Sequence, residues 1–142
     1  MCPGADSYDD LFKVIRRLAL PYDASEQQYL RMVFNVLSGN IDDHSKNFSF
    51  CMDERGEWTL SPAYDITYSI DHSAPAYMNR HSLLVNGKDS DISLKDVLEV
   101  GKRNDIRNAR ELIGQVKEAL AGFDTMASGL GIDTEVIAMV KK

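Results

Sequence analysis

At 142 residues, with 44% hydrophobic and 27% charged residues, the chain is one domain's worth of globular protein, able to bury roughly 70% of its unfolded surface. A net charge of −6 and a pI near 5.0 argue against autonomous binding to DNA, RNA or an anionic membrane. A basic partner, or a phosphate site neutralised by a cation, fits the acidic balance better.

Cys2 and Cys51 are too few for a disulfide framework, and His44, His72 and His81 stand at no metal-ligand spacing from either. Two free thiols point to a reducing, cytoplasmic compartment. The sequence holds no run of 18 apolar residues and no signal-peptide pattern.

In chain order, Tyr8, Leu11, Phe12, Ile15 and Leu18 recur at helical spacing between Asp6 and Leu20, and Pro21 ends the run. Ser25-x-x-Gln28 reads as a capping box opening a second helix, apolar around most of its circumference and therefore nearly buried. Ser38-Gly39-Asn40 stops it. Asn40 to Asn47 is polar and aperiodic, hence a loop. Phe48 to Met52 and Glu57 to Leu60 read as two strands joined by Asp53-Glu54-Arg55-Gly56. Pro62 to Asp65 is a turn, and residues 67 to 92 are irregular, a span of the kind that carries binding or chemistry. Ser93-x-x-Asp96 caps a third helix, a longer one runs from about Asp105 to Phe123, and a last short one follows Asp133. The fold class is predominantly α-helical (α+β) with one small β-hairpin, in a single domain over 1–142.

The chemistry concentrates in Asn40-Ile41-Asp42-Asp43-His44-Ser45-Lys46-Asn47, followed after the hairpin by Pro62-Ala63-Tyr64-Asp65. Phosphoryl transfer needs a carboxylate to accept the proton of an attacking hydroxyl and oxygen ligands to hold Mg2+ against phosphates. Asp42 and Asn47 stand five apart after a buried helix, and Asp65 sits at the end of the following hairpin. That is the order of base, metal ligand and second metal ligand in eukaryotic-type kinases. Lys46, inside the loop, is placed to neutralise a transferring phosphoryl group. His44 reads as a loop-stiffening donor to a backbone carbonyl. Asp43 is open between metal and solvent. Tyr64 and Trp58 read as packing residues, Cys51 as a buried small hydrophobe, and Asp89-Ser90-Asp91 as a solvated turn.

The string N-I-D-D-H-S-K-N-F-S-F followed by L-S-P-A-Y-D-I resembles the catalytic and metal-binding motifs of HipA-family serine/threonine kinases, the toxins of bacterial toxin–antitoxin pairs. M-V-F-N-V-L-S-G-N and H-S-L-L-V-N-G-K are similar to that family too, and the likeness is densest from Phe34 to Lys88. The resemblance implies a protein-kinase-like C-lobe with Asp42 as general base and Asn47 and Asp65 as Mg2+ ligands. His44 and Lys46 would shape the loop and contact the phosphate. It further implies ATP, a protein substrate (an aminoacyl-tRNA synthetase in the best-known member), a helix-turn-helix DNA-binding antitoxin, and a role in growth arrest or persistence.

The sequence departs from a whole kinase in having no Gly-rich phosphate loop and no strand lysine; Lys13, the only lysine before Lys46, falls in a helix. The expectation is a C-lobe whose N-terminal lobe is absent, binding ATP·Mg2+ weakly alone. Two other readings stand beside it. One is a non-catalytic lobe that binds an antitoxin or a missing kinase half. The other is a metal-dependent hydrolase using Asp42, Asp43, His44 and Asp65 as ligands.

Overall fold

The computed structural model describes residues 6–140, so Cys2 lies outside the described residues. Six helices and one hairpin follow in the order α1 (Tyr8–Arg17), α2 (Tyr22–Ser38), β1 (Phe50–Met52), β2 (Trp58–Leu60), α3 (Leu94–Arg103), α4 (Ala109–Ala121), α5 (Phe123–Gly129) and α6 (Thr134–Val140). Short 3₁₀ turns sit at Ser45–Asn47 and Ala76–Met78. The mainly helical α+β reading therefore holds. Among the described residues no helix is long and apolar enough to cross a membrane.

Helix α1 starts at Ser7, whose N–H and hydroxyl both donate to the Asp10 carboxylate at 3.0 and 2.8 Å. It stops at Arg17, before the proline, because the chain turns through Ala19 at φ 51°. Helix α2 begins four residues earlier than its capping-box signature suggests. Pro21 is its N-cap, in the extended conformation usual for that position (φ −65°, ψ 161°), and Ser25 lies inside the first turns.

Helix α2 is the central element, packed against α1 and α4. Tyr29, Met32 and Val33 are buried from it, against Phe12 and Ile15 of α1, Val97 and Val100 of α3, and Leu112, Ile113 and Val116 of α4. It is less completely buried than its composition suggests, since Leu37 is exposed.

Gly39 ends α2 in the left-handed region, at φ 75°, where its N–H reaches the Asn35 carbonyl. A Cβ there would meet Ile70 Cδ1 at 2.6 Å. Gly39→Ala is expected to lower stability by about 2 kcal/mol, from left-handed strain plus overpacking, read as a shift in the urea midpoint.

The hairpin is antiparallel, with Phe50 opposite Leu60, Cys51 opposite Thr59 and Met52 opposite Trp58. Asp53 Oδ1 accepts the N–H groups of Arg55 and Glu57, and Gly56 at φ 82° completes the turn. Only one face of a two-stranded ribbon can lie on the core. Phe50 and Leu60 take that face, and Cys51, one residue on, is turned to solvent. Cys51 is therefore not the buried hydrophobe its strand position suggested, and Trp58, near the hairpin's turn, is exposed as well.

Ser93 and Asp96 form the anticipated capping box on α3. Asp96 also accepts from Lys88 Nζ at 2.8 Å and Asn86 Nδ2 at 2.9 Å. Lys88 first, then Ser93 and Asn86, hold its carboxyl far below the usual carboxylate range. A depressed folded-state value contributes stability that is complete above about pH 4 and lost as pH falls below it. Asp96→Asn is accordingly expected to lower the urea midpoint at pH 7 and to flatten its decline below about pH 4. The helix expected from about Asp105 to Phe123 is observed as α4, Ala109–Ala121, and after Gly122 the unanticipated short α5 follows.

Candidate functional site

The loop between α2 and the hairpin is tied to the protein at almost every residue. Asn47 Nδ2 donates to the Asp42 carbonyl at 2.9 Å and its backbone N–H to the His44 carbonyl at 2.9 Å, closing the loop on itself. Ser69 Oγ accepts the N–H groups of Ile41 and Asp42 at 2.8 and 3.1 Å. The segment that follows Asp65 therefore grips the segment that carries Asp42.

Asp42 presents its carboxylate to solvent, 62% exposed, with His44 Nε2 3.8 Å from Oδ1. His44 does not stiffen the loop by donating to a carbonyl: its Nδ1 is buried without a partner. Lys46 is exposed, and its carbonyl accepts the Tyr64 hydroxyl at 2.9 Å. Tyr64 is thus a half-exposed tether between the two motif segments as well as a packing residue.

Asp65 lies in the left-handed region at φ 53°, exposed, at the end of a turn whose Ser61 carbonyl is held by Arg31 at 2.6 Å. Burial lowers the Arg31 guanidinium pKa from its usual value, opposed by the neighbouring Tyr64. Asparagine and aspartate tolerate left-handed backbone better than other non-glycine residues, and such positions concentrate at functional sites.

One small cavity receives Asn47 and Asp65 together, with Arg31, Asn35, Asn40 and Asp43 in its wall. Asp42, His44 and Lys46 are not among its lining residues; they stand on the loop outside it. Because Asn47 commits its amide nitrogen to the Asp42 carbonyl, Oδ1 is the atom left to meet a ligand. Asn40 Oδ1, in the same wall, is buried with no donor.

Such a donor set of carboxylate and amide oxygens fits a hard cation that completes its shell with phosphates and water, as Mg2+ does. Among the described residues no three His, Cys, Asp or Glu side chains gather as a metal cage.

Asp43 is the clearest correction to the motif. Its side chain is fully buried and accepts four hydrogen bonds: from the Tyr8 hydroxyl at 2.6 Å, His81 Nδ1 at 2.8 Å, and the N–H groups of Ser82 and Leu83 at 2.8 and 3.4 Å. Although Asp43 lines the cavity, its carboxylate is shut off from solvent and committed to these protein donors. The four-ligand hydrolase set loses a member, since Asp43 is saturated by protein donors. Burial, and then Asp43, raise the Tyr8 phenol well above its usual value. Asp89 is likewise more than a solvated turn, because Arg80 Nη1 grips both its carboxylate oxygens at 3.1 and 2.9 Å.

Tyr8, Arg31, Asn35, Ser69 and His81 support the site without having been singled out in the sequence. Asn35 left a signal, a polar residue on an otherwise apolar stretch of helix. Tyr8 was assigned only to the core, and His81 lies 38 residues from Asp43 with no local pattern to join them.

The HipA-like C-terminal domain model matches residues 3–123, most of the chain. The chain belongs to this family. Over 101 residues this HipA-family domain is also 27% identical to a Sinorhizobium fredii (strain NBRC 101917 / NGR234) protein named "Putative kinase Y4mE". That match spans 70% of the domain's chain but 20% of the relative's length. No solved structure matches the domain significantly.

Proposed function

We propose that the chain is the catalytic-loop part of an ATP-dependent serine/threonine protein kinase, built like a protein-kinase C-lobe. The single observation carrying this reading is the shared cavity of Asn47 and Asp65, with Asn47 tied directly to the residue that bears Asp42. Asp42, exposed and unencumbered, accepts the proton of a protein hydroxyl. Asn47 Oδ1 and the Asp65 carboxylate hold Mg2+, which when bound offsets the charge on ATP phosphates. Lys46 and His44 contact the transferring group from the loop.

The family resemblance supports a toxin–antitoxin setting in the cytoplasm, a protein substrate such as an aminoacyl-tRNA synthetase, and a helix-turn-helix antitoxin as partner. The parts that would cover the phosphates, a small-residue loop and a strand lysine, are expected on an N-terminal lobe outside this sequence. Lys13 does not replace that lysine: it lies exposed on α1, paired with Asp10 at 2.7 Å. Calorimetry should therefore find ATP·Mg2+ binding to this chain weaker than about 10 µM, equivalent to roughly −7 kcal/mol. Micromolar or tighter affinity contradicts the division of labour.

The second reading, a non-catalytic interaction lobe, is favoured by one observation. Met126, Leu130 and Met139 on and beside α5 and α6 are 64%, 75% and 53% exposed, large apolar side chains at the C-terminal helices that a partner could cover. Transfer of labelled phosphate from ATP to casein by the full-length or reconstituted protein separates the two: the kinase reading requires transfer that disappears in Asp42→Ala.

A further inference from the structure

Asp42 and Asp43 are adjacent and have opposite fates, 62% and 0% exposed. Asp43 belongs to a continuous chain of buried and largely buried polar side chains. His81 Nδ1 bonds Asp43 Oδ2 at 2.8 Å, and the Tyr8 hydroxyl donates to the same oxygen at 2.6 Å. Asn35 Nδ2 donates to the Tyr8 oxygen at 3.0 Å, and Asn40 Nδ2 donates to Asn35 Oδ1 at 3.0 Å.

The chain begins at Asn40 and returns at Asp43, so it clamps both ends of the four-residue stretch in which Asp42 stands third. Asp43 accepts from two backbone amides and a phenol, which are donors by their chemistry, and so the His81 Nδ1 facing it carries its hydrogen. Asp43 thus joins two segments: Oδ2 meets Tyr8 at the start of α1 and His81, and Oδ1 takes the N–H groups of Ser82 and Leu83 beside His81.

We propose that Asp43 is the positioning residue of this site, fixing through Tyr8 and His81 the direction in which Asp42 projects. The role rests on Asp42 being the base. Rotation or translation of the Asp43 seat by about 1 Å would move Asp42 by a similar amount, a displacement that can lower a rate on the order of 10²-fold. Asp43 lines the cavity, but its carboxylate is committed to protein donors, so ATP binding should change less than the rate.

The test measures single-turnover phosphate transfer from saturating ATP·Mg2+ to casein by this chain together with the N-terminal lobe expected for it, as wild type, Asp42→Asn, Asp43→Asn and the double variant. Asp43→Asn should lower the maximal rate by about 10- to 10²-fold while the half-saturating ATP concentration moves less than about threefold. In the Asp42→Asn background it should produce no further loss, because its effect passes through Asp42. Tyr8→Phe, which keeps the buried ring and removes only the hydroxyl, should give a smaller loss of the same pattern and serves if Asp43→Asn does not fold.

An unchanged rate in both variants overturns the proposal, and so does an equal fold-loss with and without Asp42. Wild-type transfer that is absent, or indifferent to Asp42→Asn, overturns the kinase reading and this role with it. Asp42-dependent transfer that ignores Asp43 and Tyr8 overturns this role alone.

Discussion

Asp42→Ala is expected to lower phosphate transfer by about 10²- to 10⁴-fold, the usual loss when a general base is removed. Its thermal midpoint should stay within about 2 °C of wild type. The separation of activity from stability follows from what the side chain does and does not touch. Its carboxylate is mostly exposed, and the His44 ring nitrogen beside it is 3.8 Å away, beyond hydrogen-bond distance. The backbone at Asp42, in contrast, is fixed by Ser69 Oγ on its N–H and by Asn47 Nδ2 on its carbonyl. Removing the carboxylate leaves both bonds in place. A variant that retains near wild-type transfer would remove Asp42 from the role of base.

The second large effect is expected at Asp65. Losing groups that merely support a metal ligand already costs 10- to 100-fold in affinity, so losing the ligand should raise the Mg2+ concentration for half-maximal transfer by at least about 10²-fold. Asp65→Gly is the informative substitution, because glycine adopts the φ of 53° without strain and deletes only the carboxylate. Asp65→Ala would mix metal loss with backbone strain of about 1 kcal/mol. If Asp65→Gly transfers phosphate with an unchanged Mg2+ requirement, the carboxylate holds no metal.

The parts of the fold legible in the sequence are those written locally. The Ser93–Asp96 capping box, the Gly39 stop, the Gly56 turn and the hairpin itself each depend on residues within a few positions of one another. Boundaries set by backbone preference moved by a few residues, as at Pro21, the N-cap that begins α2 earlier than the Ser25 signature.

The site was half legible. Motif spacing identified the loop and the turn that enter one cavity, but it could not tell Asp42 from Asp43 by environment. That distinction is made by Tyr8 and His81, 35 and 38 residues away, and no local pattern encodes contacts at such separations. Cys51 was misread for the opposite reason. Alternation along a strand places it on one face but does not say which face of a two-stranded ribbon has a core beneath it.

The most direct test of the central claim uses Mn2+ in place of Mg2+ on the 15N-labelled chain, reading which amide signals the paramagnetic ion broadens. The account predicts that Asn47 and Asp65 broaden first, with Asp42 among the next to follow, and that Asp65→Gly abolishes the effect. Broadening that begins instead around Asp89 and Asp91, or that persists unchanged in Asp65→Gly, would contradict it.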